Sequence, residues 1–312
     1  LKAIFFGSGD FAVKPLQRLL HDNHHEVLAV VGKPDRPAGR GLKLSSTPVV
    51  EFARKSGLKV FQPYNLNPQD LEEMLKLDWN VAVVAEYGEI IPPWLLGFEN
   101  RIFINVHPSL LPRLRGPAPV ERAIIKGFTL TGVTTILMSE RVDAGGVLLR
   151  AEEPIYERDT TGTLRERLSQ VASRLVIETL DGVESNKLKP IPQVEDQASY
   201  APAITADEAN IDWSAPAENI DRLVRALDPD IGAYTYFRGR RIKIWSVLPT
   251  DVVEQDEPGT IIDMGRQGVF VNTGTYCLLI LSLQPEGKQK MTAVEFARGQ
   301  RTRTGEQFTR KP

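Results

Sequence analysis

The chain reads as an α/β protein in which a mostly parallel sheet with packed helices is followed by a small β-barrel. Three observations predict this. Apolar runs of strand length alternate with amphipathic stretches through the first half of the chain, the pattern of βαβ units and a buried parallel sheet. Composition then changes across residues 190–206, where Pro190, Pro192 and Pro202 interrupt any period, as a linker would. Beyond it, short β-like runs are separated by Gly-containing turns, which suits a small barrel or sandwich.

Taken in order, Lys2-Ala-Ile-Phe-Phe-Gly7 is a short apolar run ending in Gly, as a buried strand would. Residues 11–21 follow a helical period, with Phe11, Leu16, Leu19 and Leu20 on one side. Val27–Val31 is a second buried strand, and 48–56 and 68–77 read as helices. Val81–Ala85 and Ile102–Val106 are further buried strands, 120–126 a helix, 133–138 a strand and 161–180 a long helix. In the last third, 217–227 is helical, and 234–237, 241–247, 260–264, 268–272 and 277–283 are strand-like. The domain reading is therefore 1–189, a linker at 190–206, and 207–312.

A chain of 312 residues that is 42% hydrophobic and 25% charged is globular in composition. It has no run of 18 apolar residues and no signal-peptide pattern, so a cytoplasmic protein without membrane contact is expected. Cys277 is the single cysteine, which excludes an internal disulfide and a cysteine-based zinc site and suits a reducing compartment. No cluster of His, Cys and carboxylates has ligand spacing, so no metal is expected. The net charge of −2 gives no overall attraction to nucleic acid, so any RNA contact must be local.

The chemistry points to Asn105-Val-His107-Pro-Ser109-Leu-Leu-Pro112-Arg-Leu-Arg115-Gly116, with Asp143-Ala-Gly-Gly146 beginning 36 residues after His107. An amide, an imidazole and a carboxylate are the equipment for moving an acyl group onto an amine. The amide steadies an oxyanion, the imidazole moves a proton and the carboxylate can orient the imidazole. His107 alone among the four histidines ends an apolar strand run, whereas His21, His24 and His25 crowd one polar turn. An isolated Asp before glycines is ordinarily a turn residue.

Three further segments carry weaker signals. Gly7-Ser-Gly9-Asp-Phe-Ala12 fits a dinucleotide fingerprint but lacks the acidic residue that should close the second strand. The segment from Lys33 to Lys43 packs four basic side chains, two prolines and two glycines into 11 residues after the second strand. There it could clamp a phosphodiester backbone. Tyr87-Gly88-Glu-Ile90-Ile91-Pro92 ends another buried strand, where free backbone groups could meet a flat heterocycle.

At these residues the chain resembles the methionyl-tRNA formyltransferases, within the wider folate-dependent formyltransferases. The similarity runs nearly full length. It is carried by the N-terminal Phe-Phe-Gly-Ser-Gly-Asp-Phe, the loop Pro34–Gly41, the Asn105–Gly116 motif, Ile211-Asp-Trp-Ser214 and Leu281-Ser-Leu-Gln-Pro285. The resemblance implies a Rossmann-like catalytic domain and an OB-like barrel. It implies 10-formyltetrahydrofolate as donor, initiator Met-tRNA as acceptor and no metal. Asn105, His107 and Asp143 would be catalytic, with Asp143 paired to His107. Tyr87, Gly88, Ile90, Ile91 and Pro92 would line the folate site, together with Ser109, Leu110, Leu111 and Pro112. Arg36, Arg40 and Lys43 of the basic loop would meet the tRNA, joined by Arg240, Arg241, Lys288 and Lys290 of the barrel. A monomer is expected.

One departure from the family pattern is Ser139-Glu-Arg-Val-Asp143, whose flanks are similar to relatives that formylate an amino-sugar nucleotide. The competing readings are therefore a formyltransferase with an amino-sugar or other small-amine acceptor, a nicotinamide oxidoreductase built on Gly7–Ala12, and a non-enzymatic RNA-binding protein.

Overall fold

A computed structural model describes residues 1–38 and 43–312. Within these, the chain folds into two compact units. The first comprises 1–119, 130–154 and 165–202, and the second 120–129, 155–164 and 203–312.

In the first unit, β1 (Lys2–Gly7), α1 (Val13–Leu20), β2 (Glu26–Val31), the hairpin of β3 (Arg36–Ala38) and β4 (Lys43–Ser45), α2 (Pro48–Lys55), β5 (Val60–Phe61), α3 (Glu72–Leu75), β6 (Val81–Ala85), α4 (Pro93–Leu96) and β7 (Ile102–His107) follow one another. Next along the chain come α5 (Pro119–Ile125), most of which belongs to the second unit, then β8 (Leu130–Leu137), β9 (Val147–Pro154) and α6 (Thr161–Glu184). The sheet order is β5-β2-β1-β6-β7-β8-β9. The pairs from β5 to β7 are parallel, while β8 and β9 are added antiparallel. The continuous apolar strands Ile4-Phe5-Phe6 and Val81–Ala85 are buried throughout because both faces are covered.

The helix expected over 68–77 is only one turn, α3, flanked by hydrogen-bonded turns. Apolar residues at 71, 74 and 75 face the core, but Asn67 and Asp70 side chains take backbone amides and favour turns over helix. Strand β9 lies beyond the sequence reading. Its alternation of buried and exposed positions ends in Glu152 and Glu153, which masks the apolar signal.

Because β1, β6 and β7 are parallel and in register, Gly7 sits beside Ala85 and Val84 beside Asn105. The loops after these three strands therefore leave from one edge, the carboxyl edge where open parallel sheets bind ligands.

Residues 191–201 do not hang free as a tether. Ile191 bridges to Val147 and Tyr200 to Arg115, so this stretch is part of the first unit.

The second unit holds α7 (Ala217–Leu227), β10 (Ala233–Phe237), β11 (Arg240–Pro249), β12 (Ile261–Met264), β13 (Val269–Val271), β14 (Leu278–Pro285), β15 (Met291–Thr292), α8 (Ala293–Gln300) and β16 (Phe308–Thr309). Its antiparallel sheet has the order β12-β13-β14-β11-β10-β16. The two ends meet. Ile261 N–H donates to the Glu306 carbonyl (2.8 Å) and Phe308 N–H to the Gly259 carbonyl (2.9 Å), so the sheet curls into a small barrel. Its core includes Trp213, whose ring stacks on Phe308 and whose Nε1–H donates to Thr235 Oγ1. Ile211 and Trp213 of the Ile211–Ser214 motif thus belong to the barrel core, while Asp212 and Ser214 are exposed.

Candidate active site

Strand β7 presents Asn105 and His107 two residues apart, so both side chains lie on one face. His107 is the last residue of the strand and is buried. The backbone then folds into a tight loop. Thr134, paired with His107 across β7 and β8, anchors it twice. Its Oγ1–H donates to the Ser109 carbonyl (2.7 Å) and its Oγ1 accepts from Leu111 N–H (3.1 Å). Ser109 Oγ–H donates to the Arg113 carbonyl (2.7 Å). These bonds bring the Leu114 carbonyl to 3.0 Å from His107 Nε2.

Asp143 arrives from an unexpected direction. Strand β8 ends opposite Ile104, below His107, and the loop after it must turn back to reach the strand end. Gly145 allows this, since a Cβ there would collide with the Leu137 carbonyl. Asp143 itself has a left-handed backbone, φ 51°. Its Oδ1 accepts from Asn105 Nδ2 (3.1 Å), its Oδ2 accepts from Gly116 N–H (2.8 Å), and Oδ2 lies 3.6 Å from His107 Nδ1. The amide, imidazole and carboxylate separated in sequence are therefore one cluster. Both His107 nitrogens face oxygens. A singly protonated ring satisfies one of them and a doubly protonated ring both.

Around Asp143 lies a polar network that the sequence does not single out. Gln193 Nε2 donates to the carbonyls of Asp143 and Gly145, both at 2.8 Å. Its Oε1 accepts from Arg115 Nε (3.1 Å) and from the terminal Nη2 (2.8 Å). Arg115 is 1% exposed. Its charge is met by Glu195, which also pairs with Arg141. These two guanidinium groups pull the Glu195 carboxyl down to about 2. Gln193 and Glu195 sit in the Pro-broken stretch without period, so no pattern marks them.

The segment 86–92 leaves the same sheet edge. Tyr87 is buried, with its ring edge-on to Phe6 at 5.5 Å, and burial pushes its hydroxyl pKa up. Its ring is thus core, and Ser8 Oγ–H donates to its carbonyl. Gly88 and Ile90 are exposed, Pro92 is half-buried and Ile91 is buried. Of the other residues expected to line a ligand, Leu110 is half-buried, while Ser109, Leu111 and Pro112 are buried and shape the loop.

Gly7–Ala12 is not arranged for a dinucleotide. Glu86 Oε2 accepts from Phe11 N–H (3.0 Å), and a Cβ on Gly9 would strike the Glu86 carboxylate. The protein's own carboxylate occupies the amide cradle that a pyrophosphate would need.

The basic residues are spread over both units. Arg36 is exposed on β3. Arg40 lies outside the described residues, and Lys43 opens β4. In the barrel, Arg240, Arg241, Lys288 and Lys290 are exposed. Arg241 lies over the Tyr234 ring at 3.9 Å and Lys290 over Trp245 at 5.4 Å. Arg238 is already bound by Glu306.

Among the described residues one group has metal-ligand proximity: His24, His25 and Asp181. It lies at the turn before β2 and on α6, not at the His107 cluster. His25 Nδ1 faces the Leu1 nitrogen at 3.2 Å and its Nε2 lies 3.2 Å from Asp181 Oδ1, while burial lowers the pKa of the ring and favours its neutral form.

Residues 1–180 match the family model described as Formyl transferase, and 203–301 match Formyl transferase, C-terminal domain. The methionyl-tRNA formyltransferase of Streptomyces avermitilis is 40% identical over 309 residues, covering 98% of this chain and 99% of that protein. That of a Geobacillus species is 41% identical over 301 residues, covering 96% and 94%. Among solved structures, HypX from Aquifex aeolicus in complex with tetrahydrofolic acid superposes with a TM-score of 0.64 at 19% identity, over 95% of this chain and 46% of that one. WlaRD, a sugar 3N-formyl transferase, superposes with a TM-score of 0.66 at 18% identity, over 93% and 99%. At such identities these two likenesses concern the fold alone.

Proposed function

Because the chain belongs to the methionyl-tRNA formyltransferase family, whose reaction is a folate-dependent formyl transfer, we propose that it formylates the α-amine of methionine on initiator Met-tRNA, with 10-formyltetrahydrofolate as donor. The observation that carries this reading is the convergence of Asn105, His107 and Asp143 at the end of β7, in a chain that aligns with those relatives almost end to end.

The donor supplies an activated formyl carbon. The amine nitrogen attacks it, a C–N bond forms, and the carbonyl oxygen becomes an oxyanion. Asn105 Nδ2 is the donor on hand to meet that charge, joined by a protonated His107 once its Nε2–H turns from the Leu114 carbonyl to the substrate. As the tetrahedral centre collapses, the bond to the folate nitrogen breaks. His107 can carry the proton from the amine to that nitrogen. Asp143 orients His107 and, through Oδ1, Asn105. The 86–92 segment suits the folate side of such a site, since it joins exposed Ile90 to a strand end held by Ser8 and Lys33.

The acceptor would be held largely through phosphates, by Arg36, Arg40 and Lys43 in the first unit and by Arg240, Arg241, Lys288 and Lys290 on the barrel. The cytoplasm is the compartment that fits, and the buried free Cys277 agrees with it. We take the working form to be a monomer.

The test is formyl transfer from 10-formyltetrahydrofolate to Met-charged initiator tRNA by the wild type and by His107→Ala. The expected result is formyl-Met-tRNA from the wild type and a loss of roughly two orders of magnitude or more in the variant. A folded wild type that makes no product would overturn the acceptor assignment. Equal rates in the two proteins would overturn the site.

A further inference from the structure

We infer that Gln193 is a positioning residue for the transfer reaction, acting through the backbone of Asp143. This inference rests on the proposed function, in which Asp143 belongs to the active site.

Asp143 needs external support. Its φ of 51° is a left-handed conformation, which costs a non-glycine residue strain unless the surroundings hold it. Its carboxylate must meet Asn105, Gly116 and His107 together. The turn is followed by Ala144, Gly145 and Gly146, which offer little side-chain packing of their own.

Gln193 supplies the hold. Both protons of its amide are spent on carbonyls that bracket the turn, Asp143 and Gly145. The amide cannot be reversed, because its oxygen lies against two nitrogens of the buried Arg115 guanidinium. Arg115 is fixed in turn by Glu195 from the same stretch of chain, and its backbone is paired at Ser199 and Ala201. Arg115 immediately precedes Gly116, whose N–H holds the Asp143 carboxylate. One network thus grips Asp143 at its backbone through Gln193 and at its side chain through Gly116. Each contact is a hydrogen bond between groups at least partly shielded from water, where an unmet partner is costly.

The experiment compares wild type, Gln193→Glu, Asp143→Ala and the double variant in steady-state formylation of Met-tRNA, with thermal melting of each. Glutamate keeps the shape and the acceptor toward Arg115 but removes both donors to the turn. The expected result for Gln193→Glu is a kcat lowered about 10- to 100-fold, with KM for either substrate within about three-fold. In the Asp143→Ala background the same change should cost almost nothing more, because the residue it positions is gone. If Gln193→Glu does not fold, Gln193→Met removes the same donors at similar length and is read in the same way. Full activity of the Gln193 variant beside an impaired Asp143→Ala would overturn the proposal alone. A loss that is additive with Asp143→Ala, or a change confined to KM, would also overturn it. An unimpaired Asp143→Ala would instead overturn the reading on which it rests.

Discussion

His107 is held on both sides, by the Leu114 carbonyl at Nε2 and Asp143 Oδ2 at Nδ1. In the proposed reaction one of these contacts must be exchanged for the substrate before the ring can take and return a proton, and the other keeps the ring in place meanwhile. Asn105 is tied to Asp143 by its amide, so truncating it removes a neighbour of the carboxylate together with the oxyanion donor of the proposed reaction. At this scale the electrostatics also set a pH dependence. Arg115 and Arg141 hold the Glu195 carboxyl at about 2 instead of the ordinary 4.5. A depressed carboxylate contributes stability above its unfolded value and loses it as pH falls through its folded value. Glu195→Gln should therefore flatten the fall in melting temperature between pH 4.5 and about 2, measured by thermal unfolding across that window. Melting curves that overlay the wild type at every pH would refute the linkage.

The elements matter through how they end. Strand β7 stops at His107, and the loop after it has too little regular structure to hold itself. Thr134 on the neighbouring strand supplies the missing partners from a fully buried position. Thr134→Val keeps the shape but leaves the Ser109 carbonyl and the Leu111 N–H unmet, at roughly 1–3 kcal/mol each. The expected outcome is a destabilisation of about 2–4 kcal/mol in chemical denaturation, with a fall in kcat because the loop carries the Leu114 contact to His107. A variant as stable as the wild type would mean that water reaches those groups. Strand β1 makes a contrasting point. It ends in the glycines of a nucleotide fingerprint, yet the helix that follows is met by Glu86. A glycine pattern permits a close approach without saying what approaches.

At the scale of the molecule, a net charge of −2 must still accommodate a polyanion. The C-terminal stretch 206–312 is nearly balanced, with 14 basic and 15 acidic residues, so binding depends on placement. Arg241 and Lys290 lie over aromatic rings and stay exposed, while Arg238 is consumed by Glu306. Binding of Met-tRNA should weaken steeply with added salt. Lys288→Ala combined with Lys290→Ala should lower affinity and reduce the slope of log K against log salt by about 1 to 2. Arg238→Ala should leave that slope nearly unchanged. An unaltered slope in the double variant would remove this face of the barrel from the tRNA contact.

Much of the architecture is legible in the chain itself. Buried parallel strands are continuous apolar runs, so Ile4–Phe6, Val81–Ala85 and Ile102–Val106 stand out. The helix over 217–227 is recognisable because its apolar positions follow a clean period. Asn105 and His107 are legible for a local reason, since two residues of one strand share a face. Asp143 is visible as a residue, but its meeting with His107 depends on a loop that doubles back over the sheet, which no local pattern encodes. Gln193, Glu195 and Thr134 are silent because hydrogen bonding between distant segments has no periodicity. Local pattern alone specifies the elements, the sheet edge and the kinds of chemistry available. Which polar atoms come within hydrogen-bonding reach is settled on folding, because it depends on contacts such as Leu111 to Thr134, Gln193 to Asp143 and Arg115 to Glu195, whose partners are far apart along the chain.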